Sequence, residues 1–154
     1  MKKSLFITMI LLAGVFTFTS CDNTEEVEPG TNPTAVIKGT VYADIDLSDG
    51  GMEEAPQGTE IFFRINAQDL VLNPQAGYAY QTLQYKATVG ADGTYSITLP
   101  TATHQAVNVT IQGNQFETEQ TQTDDSIIDK IYTAGATGQA TQAEQTYFVD
   151  INYF

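Results

Sequence analysis

From Thr34 onward apolar and polar residues alternate with a period of two, and no stretch sustains a helical rhythm. That period sends one set of side chains to a core and the other to water, as a half-buried strand requires. Ile37, Gly39 and Val41 alternate with Lys38, Thr40 and Tyr42, and Ile61, Phe63 and Ile65 with Phe62 and Arg64. Leu83, Tyr85, Ala87 and Val89 form a third set, Tyr95, Ile97 and Leu99 a fourth, and Val107, Val109 and Ile111 a fifth. Residues 126–133 and 146–154 complete seven short strands. Ala91-Asp92-Gly93 supplies the positive φ of a tight hairpin turn, while Gly50-Gly51, Pro56, Gly58, Asn73-Pro74, Pro100 and Gly113 punctuate the rest. Residues 135–145 read as a loop, and 69–72 as either a short extra strand or a helical turn. The expected fold is all-β: a seven-stranded antiparallel sandwich of Greek-key type over residues 34–154.

The N-terminus follows other rules. Met1-Lys2-Lys3 is a basic start, and fourteen mostly apolar residues follow at 5–18. A membrane-crossing helix needs about 20 apolar residues, so this run is short for a span and has the pattern of a secretory signal peptide. Phe18-Thr19-Ser20-Cys21 then resembles the lipobox of bacterial lipoproteins, with Phe18 standing where Leu is usual. The resemblance implies cleavage after residue 20 and acylation of Cys21, the sole cysteine. Two or more acyl chains hold a protein on a bilayer stably, so the polypeptide would be anchored without spanning. Residues 21–33 are acidic and broken by Pro29, Gly30 and Pro33, a composition suited to a disordered tether. Acids after such a cysteine resemble the surface-export signal of some Gram-negative lipoproteins. In other groups an Asp at that place marks inner-membrane retention; Glu25, Glu26 and Glu28 favour export to the outer membrane and the cell surface.

A second resemblance concerns the body. Ile37-Lys-Gly-Thr-Val41, Ala55-Pro-Gln-Gly-Thr-Glu-Ile61 and Asp92-Gly-Thr-Tyr-Ser-Ile-Thr-Leu99 run in the order found in transthyretin-like sandwiches. They resemble the carboxypeptidase regulatory-like domains of bacterial surface proteins over residues 34–120. That family implies an immunoglobulin-like sandwich used for scaffolding, adhesion or binding.

Charge narrows the partners. The chain has 6 Lys and Arg against 19 Asp and Glu. Removal of Lys2 and Lys3 with the leader leaves four cations against nineteen acids, a net charge of −15. No nucleic-acid partner is expected of a surface so anionic. One Cys and one His exclude a disulfide framework and the usual structural zinc site. His104 lies in a polar loop, and no Ser sits in a glycine-flanked elbow, so nucleophilic catalysis is not expected. By count alone nineteen acids leave room for a carboxylate-dependent hydrolase, but small sandwiches without a long cleft rarely carry one.

Three other features bear on binding. Asp44, Asp46, Asp49, Glu53 and Glu54 place five carboxylates in eleven residues, a density of hard oxygen donors suited to Ca²⁺. Their spacing is not that of an EF-hand, and a solvated acidic loop is the simpler reading in so anionic a chain. Such a cation would stabilise a glycan- or adhesion-type binder. Tyr78 and Tyr80 could stack on sugar rings or fill the sandwich rim. Phe148 and Phe154 fall on the face opposite Tyr147, Val149, Ile151 and Tyr153, as on an edge strand that meets a protein or glycan partner. Asp125-Ser126-Ile127 matches an O-glycosylation pattern of some Gram-negative lipoproteins, with Ser126 as acceptor. The expected molecule is a non-catalytic, membrane-anchored binding or structural module, accessory to an envelope or glycan-handling complex.

Overall fold

The computed structural model describes residues 32–154. The expectations placed on the leader, on Cys21 and on residues 22–31 lie outside them. The described residues form an all-β sandwich with eleven strands. They are β1 (Thr34–Ala43), β2 (Glu53–Glu54), β3 (Glu60–Asn66), β4 (Thr82–Thr88), β5 (Thr94–Pro100) and β6 (Val107–Gly113). The remainder are β7 (Phe116–Thr121), β8 (Ile127–Tyr132), β9 (Thr137–Thr141), β10 (Thr146–Phe148) and β11 (Ile151–Tyr153).

β1 organises the first sheet. Its first half lies between antiparallel β5 and parallel β10, with Lys38 opposite both Ser96 and Phe148. Its second half lies between antiparallel β2 and parallel β11. The second sheet runs β4-β3-β6-β9 and is antiparallel throughout. β7 and β8 form a separate two-stranded ribbon. The inward sets read from the alternation meet between the sheets: Ile37, Val41, Tyr95 and Leu99 from the first, and Ile61, Phe63, Ile65, Val107, Val109 and Ile111 from the second, all buried. Phe63 and Tyr95 bridge the layers with ring centroids 5.8 Å apart. Phe116 stacks on Tyr132 at 5.1 Å and leans on Tyr153 at 4.8 Å, tying the ribbon to the core.

The fold corrects the strand count of seven and the purely antiparallel pairing. The last run, 146–154, is two strands separated by Val149 and Asp150, and both pair parallel to β1. At the break Val149 N donates to Lys38 O (2.9 Å), Tyr95 Oη donates to Val149 O (2.7 Å), and Thr40 N donates to Asp150 Oδ1 (2.8 Å). A side-chain carboxylate thus takes the place of a ladder acceptor. The bulge presses the Val149 carbonyl onto Gly39, where a Cβ would collide with it. Gly39 is therefore required by close backbone approach rather than by an unusual φ.

β7, Phe-Glu-Thr-Glu-Gln-Thr, escapes the alternation rule because it has a single apolar residue. It forms through the backbone on both sides: β8 along one edge, and Ile45 and Leu47 on the other through Thr121 N to Ile45 O and Leu47 N to Thr121 O, both 2.9 Å. β9, Thr-Gly-Gln-Ala-Thr, lies inside the expected 135–145 loop and is added to the edge of β6 by register alone. The 69–72 ambiguity resolves to a 3₁₀ turn over Ala67–Leu70, capped where the Asn66 side chain accepts from Gln68 N at 3.0 Å. The Asp92-Gly93 turn forms as expected, with Gly93 at φ +67°, but β4 and β5 diverge from it into different sheets. Among the described residues no helix is long and apolar enough to cross a membrane.

Candidate recognition surface

The acidic stretch 44–54 turns three of its five carboxylates, those of Asp46, Asp49 and Glu53, onto its own backbone. Glu53 Oε2 accepts from Ile45 N (2.6 Å) and Asp46 N (2.9 Å), folding the loop over β2. Asp46 Oδ1 accepts from Ser48 Oγ (2.6 Å) and Ser48 N (2.9 Å), and the hydroxyl's bond chiefly holds the Asp46 carboxyl below its usual range. Asp49 Oδ1 accepts from Gly51 N at 2.8 Å. The Glu54 side chain covers Gly93, and Asp44 keeps Oδ1 enclosed without a hydrogen-bond partner. Among the described residues no three His, Cys, Asp or Glu side chains are placed to hold a metal ion. Asp44, Asp46, Asp49, Glu53 and Glu54 are thus not gathered about one point, and local N–H groups donate to the oxygens of Asp46, Asp49 and Glu53 that a cation would use.

The aromatic candidates occupy separate places. Tyr78 and Tyr80 sit in the loop leading to β4 and meet edge-on, centroids 4.8 Å apart. Tyr80 Oη accepts from Gln75 N at 2.8 Å, so Tyr80 pins its loop while Tyr78 stays exposed. Phe154 follows β11, and its backbone exchanges two hydrogen bonds with Thr133, of 3.0 and 3.3 Å. Phe148 stands on the outer face of the first sheet and is 76% exposed. The outward placement of Phe148 and Phe154, opposite half-buried Tyr147 and Val149 and buried Ile151 and Tyr153, follows the alternation.

Phe148 has the most developed surroundings. Lys38 Nζ lies 4.8 Å from its ring centroid, close enough for a cation–π attraction that holds the ring in place. A shallow hollow of about 340 Å³ opens beside it, lined by Lys38, Thr40, Thr94, Ser96, Phe148 and Asp150. The wall residues are hydroxyls on a flat strand face, with one cation and one carboxylate at the rim. Under this face Tyr95 is packed so deeply that burial, reinforced by the Asp150 charge, pushes its phenol far above the ordinary tyrosine range. It cannot serve as a base at neutral pH, and its hydroxyl is committed to Val149. This arrangement can stack and hydrogen-bond a ligand; it holds no nucleophile–base pair.

Ser126 lies at the exposed tip of the β7–β8 hairpin, where its Oγ donates to Asp124 Oδ1 at 2.6 Å. That bond is the main cause of a lowered Asp124 pKa. His104 is exposed in the loop between β5 and β6. Sequence reasoning passed over a further feature: Ile127 and Ile131 project, 63% and 57% exposed, from the ribbon face that also carries Glu117, Glu119 and Asp129. An alternation count at 126–133 treats isoleucines on both faces alike, so only the packing of Tyr132 tells which face is outside.

No family model and no curated protein matches the chain. Among solved structures, a candidate carbohydrate-binding protein from Pseudomonas aeruginosa is 14% identical, over 79% of this chain and 89% of that one, at a TM-score of 0.46. The shaft pilin SpaA of Lactobacillus rhamnosus GG is 10% identical over 80% of this chain, which spans 50% of the pilin, at 0.43. A major plantain pollen allergen is 13% identical, over 78% of this chain and 92% of that one, at 0.37. Likeness at this level assigns neither family nor activity.

Proposed function

We propose that this chain is a non-catalytic binding module, held on a bacterial outer membrane by acylated Cys21 and exposed at the cell surface, that recognises a glycan on the face around Phe148. One observation carries the reading: a large aromatic ring, 76% exposed, is held by a cation on a flat face of hydroxyl-bearing strand residues. Leaving such a ring in water is unfavourable, and stacking against the apolar face of a sugar recovers that area while Thr40, Thr94 and Ser96 offer hydroxyls to the ring substituents. The lipobox-like Phe18-Thr-Ser-Cys21 supports the anchor, and the acidic, proline-broken 22–33 stretch supports a tether that holds the module off the membrane.

The recognition half is tested with the chain from residue 21 carrying Cys21→Ser, titrated with a panel of neutral oligosaccharides. Binding by at least one, weakened about tenfold or more by Phe148→Ala, is the expected result. Equal binding by the two proteins would reject the Phe148 face. The anchoring half is tested in cells: Cys21→Ser moves the protein from the membrane to the soluble fraction, and persistence in membranes would reject lipidation.

A further inference from the structure

Four cations follow residue 21, and the described residues show what each of them meets. Lys86 pairs with Glu60 at 2.6 Å, and this is the one ion pair among the described residues. Lys38 and Lys130 lie over the rings of Phe148 and Tyr132. Arg64, the chain's single arginine, meets neither a carboxylate nor a ring. It projects from β3 on the outer face of the second sheet, where Nε donates to Gln84 Oε1 (3.1 Å) and Nη1 donates to Gln112 Oε1 (2.8 Å). Two neutral carboxamides from the flanking strands therefore clamp the guanidinium in one orientation without neutralising it. A guanidinium has five N–H groups, so about three remain free. In a chain with 19 acids, a fixed and uncompensated arginine runs against the surrounding field.

Arg64 lines a cavity of about 240 Å³ together with Gln112, one of its two clamps. Phe62 and Ala134 give it apolar wall, while Gln112, Asn114, Gln115 and Thr133 give it amides and a hydroxyl. No carboxylate lines it, so nothing there would receive an ammonium group. The volume lies below the range of about 300–1,000 Å³ of drug-sized sites and suits one ring. A planar guanidinium fork matches a carboxylate bidentately, an aromatic wall matches the apolar face of a sugar, and amides match hydroxyls. The acidic surface repels a polyanion but leaves a single charge, screened beyond about 8 Å, free to approach.

We propose that Arg64 and the cavity beside it bind the carboxylate of one acidic sugar residue, a uronate carried on a glycan. The site extends the glycan-binding reading to the second sheet and does not depend on Phe148. The test is an amide shift map of the ¹⁵N-labelled chain from residue 21 with Cys21→Ser, titrated with D-glucuronate, D-glucose and inorganic phosphate. Glucuronate shifts centred on Arg64, Gln112, Asn114 and Gln115, without matching shifts from glucose, are expected. Arg64→Gln weakens glucuronate about tenfold or more, and Arg64→Lys, which keeps charge but loses the fork, does so to a similar degree. Gln115→Trp, which fills the cavity from an exposed loop position, removes binding with Arg64 intact, so a folding defect at Arg64 cannot account for both losses. Shifts centred on Phe148, equal shifts from glucose, equal or stronger shifts from phosphate, or undiminished binding by Arg64→Gln would each overturn the assignment.

Discussion

Gly39→Ala adds one methyl where β1 faces the break between β10 and β11. The new carbon would stand 2.6 Å from the Val149 carbonyl carbon and nearer still to its oxygen, against an ordinary separation of about 3.5 Å. Both partners are backbone, so relief requires strand displacement of about 1 Å rather than a rotamer change. Three hydrogen bonds converge at that point: Val149 N to Lys38 O, Thr40 N to Asp150 Oδ1, and Tyr95 Oη to Val149 O, at 2.9, 2.8 and 2.7 Å. Each contributes about 1 kcal/mol net, giving a loss near 3 kcal/mol. Alanine returns about 0.4–1 kcal/mol by restricting the unfolded chain, so the net cost is about 2 kcal/mol. For a domain of this size that lowers the melting temperature by about 7 °C. Thermal and urea unfolding of wild type and Gly39→Ala measure it, with Gly138→Ala in β9 as control because nothing lies within 4 Å of its would-be Cβ. The control should hold or gain slightly. Equal stability of wild type and Gly39→Ala, or a matching loss in Gly138→Ala, would refute the close-approach explanation.

The other expectations are briefer. Glu53→Ala removes an acceptor shared by Ile45 N and Asp46 N, and should cost about 1–3 kcal/mol in urea unfolding while leaving the β-sheet circular dichroism unchanged. Phe148→Ala should change stability by less than about 0.5 kcal/mol, since the ring is mostly in water; a larger loss would mean that it packs against the fold. Burial pushes the Tyr153 phenol up to about 12, and raises Tyr95 and Tyr132 in the same direction. The unfolded chain then releases these protons first, so stability is full below about pH 10 and falls as pH rises above it; for Tyr153 the fall runs through 10 to 12 at on the order of 1 kcal/mol per unit. Stability flat over that window, followed by phenolate absorbance, would contradict the burial. At the acid end Glu60, held low chiefly by its bond from Lys86, and Asp92, held low by Thr94, should lose a small stabilisation as pH falls below about 4.

The sequence by itself determined the class of fold and the contents of the core. Tyr95, Ile97 and Leu99, like Ile61, Phe63 and Ile65, alternate so regularly that only a strand with one dry face satisfies them, and five of these six are buried. It also fixed which aromatics face outward at the C-terminal end, because a period of two leaves Phe148 and Phe154 no place beside Tyr147 and Tyr153. It could not place β7 or β9, whose polar residues become strands through backbone pairing to neighbours distant in the chain, a term that leaves no mark on side-chain type. Nor could it reveal the parallel return of β10 and β11 beside β1, which rests on Gly39 meeting Val149 across 110 residues of chain. The recognition surfaces divide along the same line. Phe148 was legible as an exposed ring, whereas Lys38 over it and the two glutamines holding Arg64 come together only across strands. Composition counts the oxygens of the acidic loop and so leaves a cation site open; the folded chain aims those of Asp46, Asp49 and Glu53 at its own amides, and only tertiary geometry decides where a lone pair points.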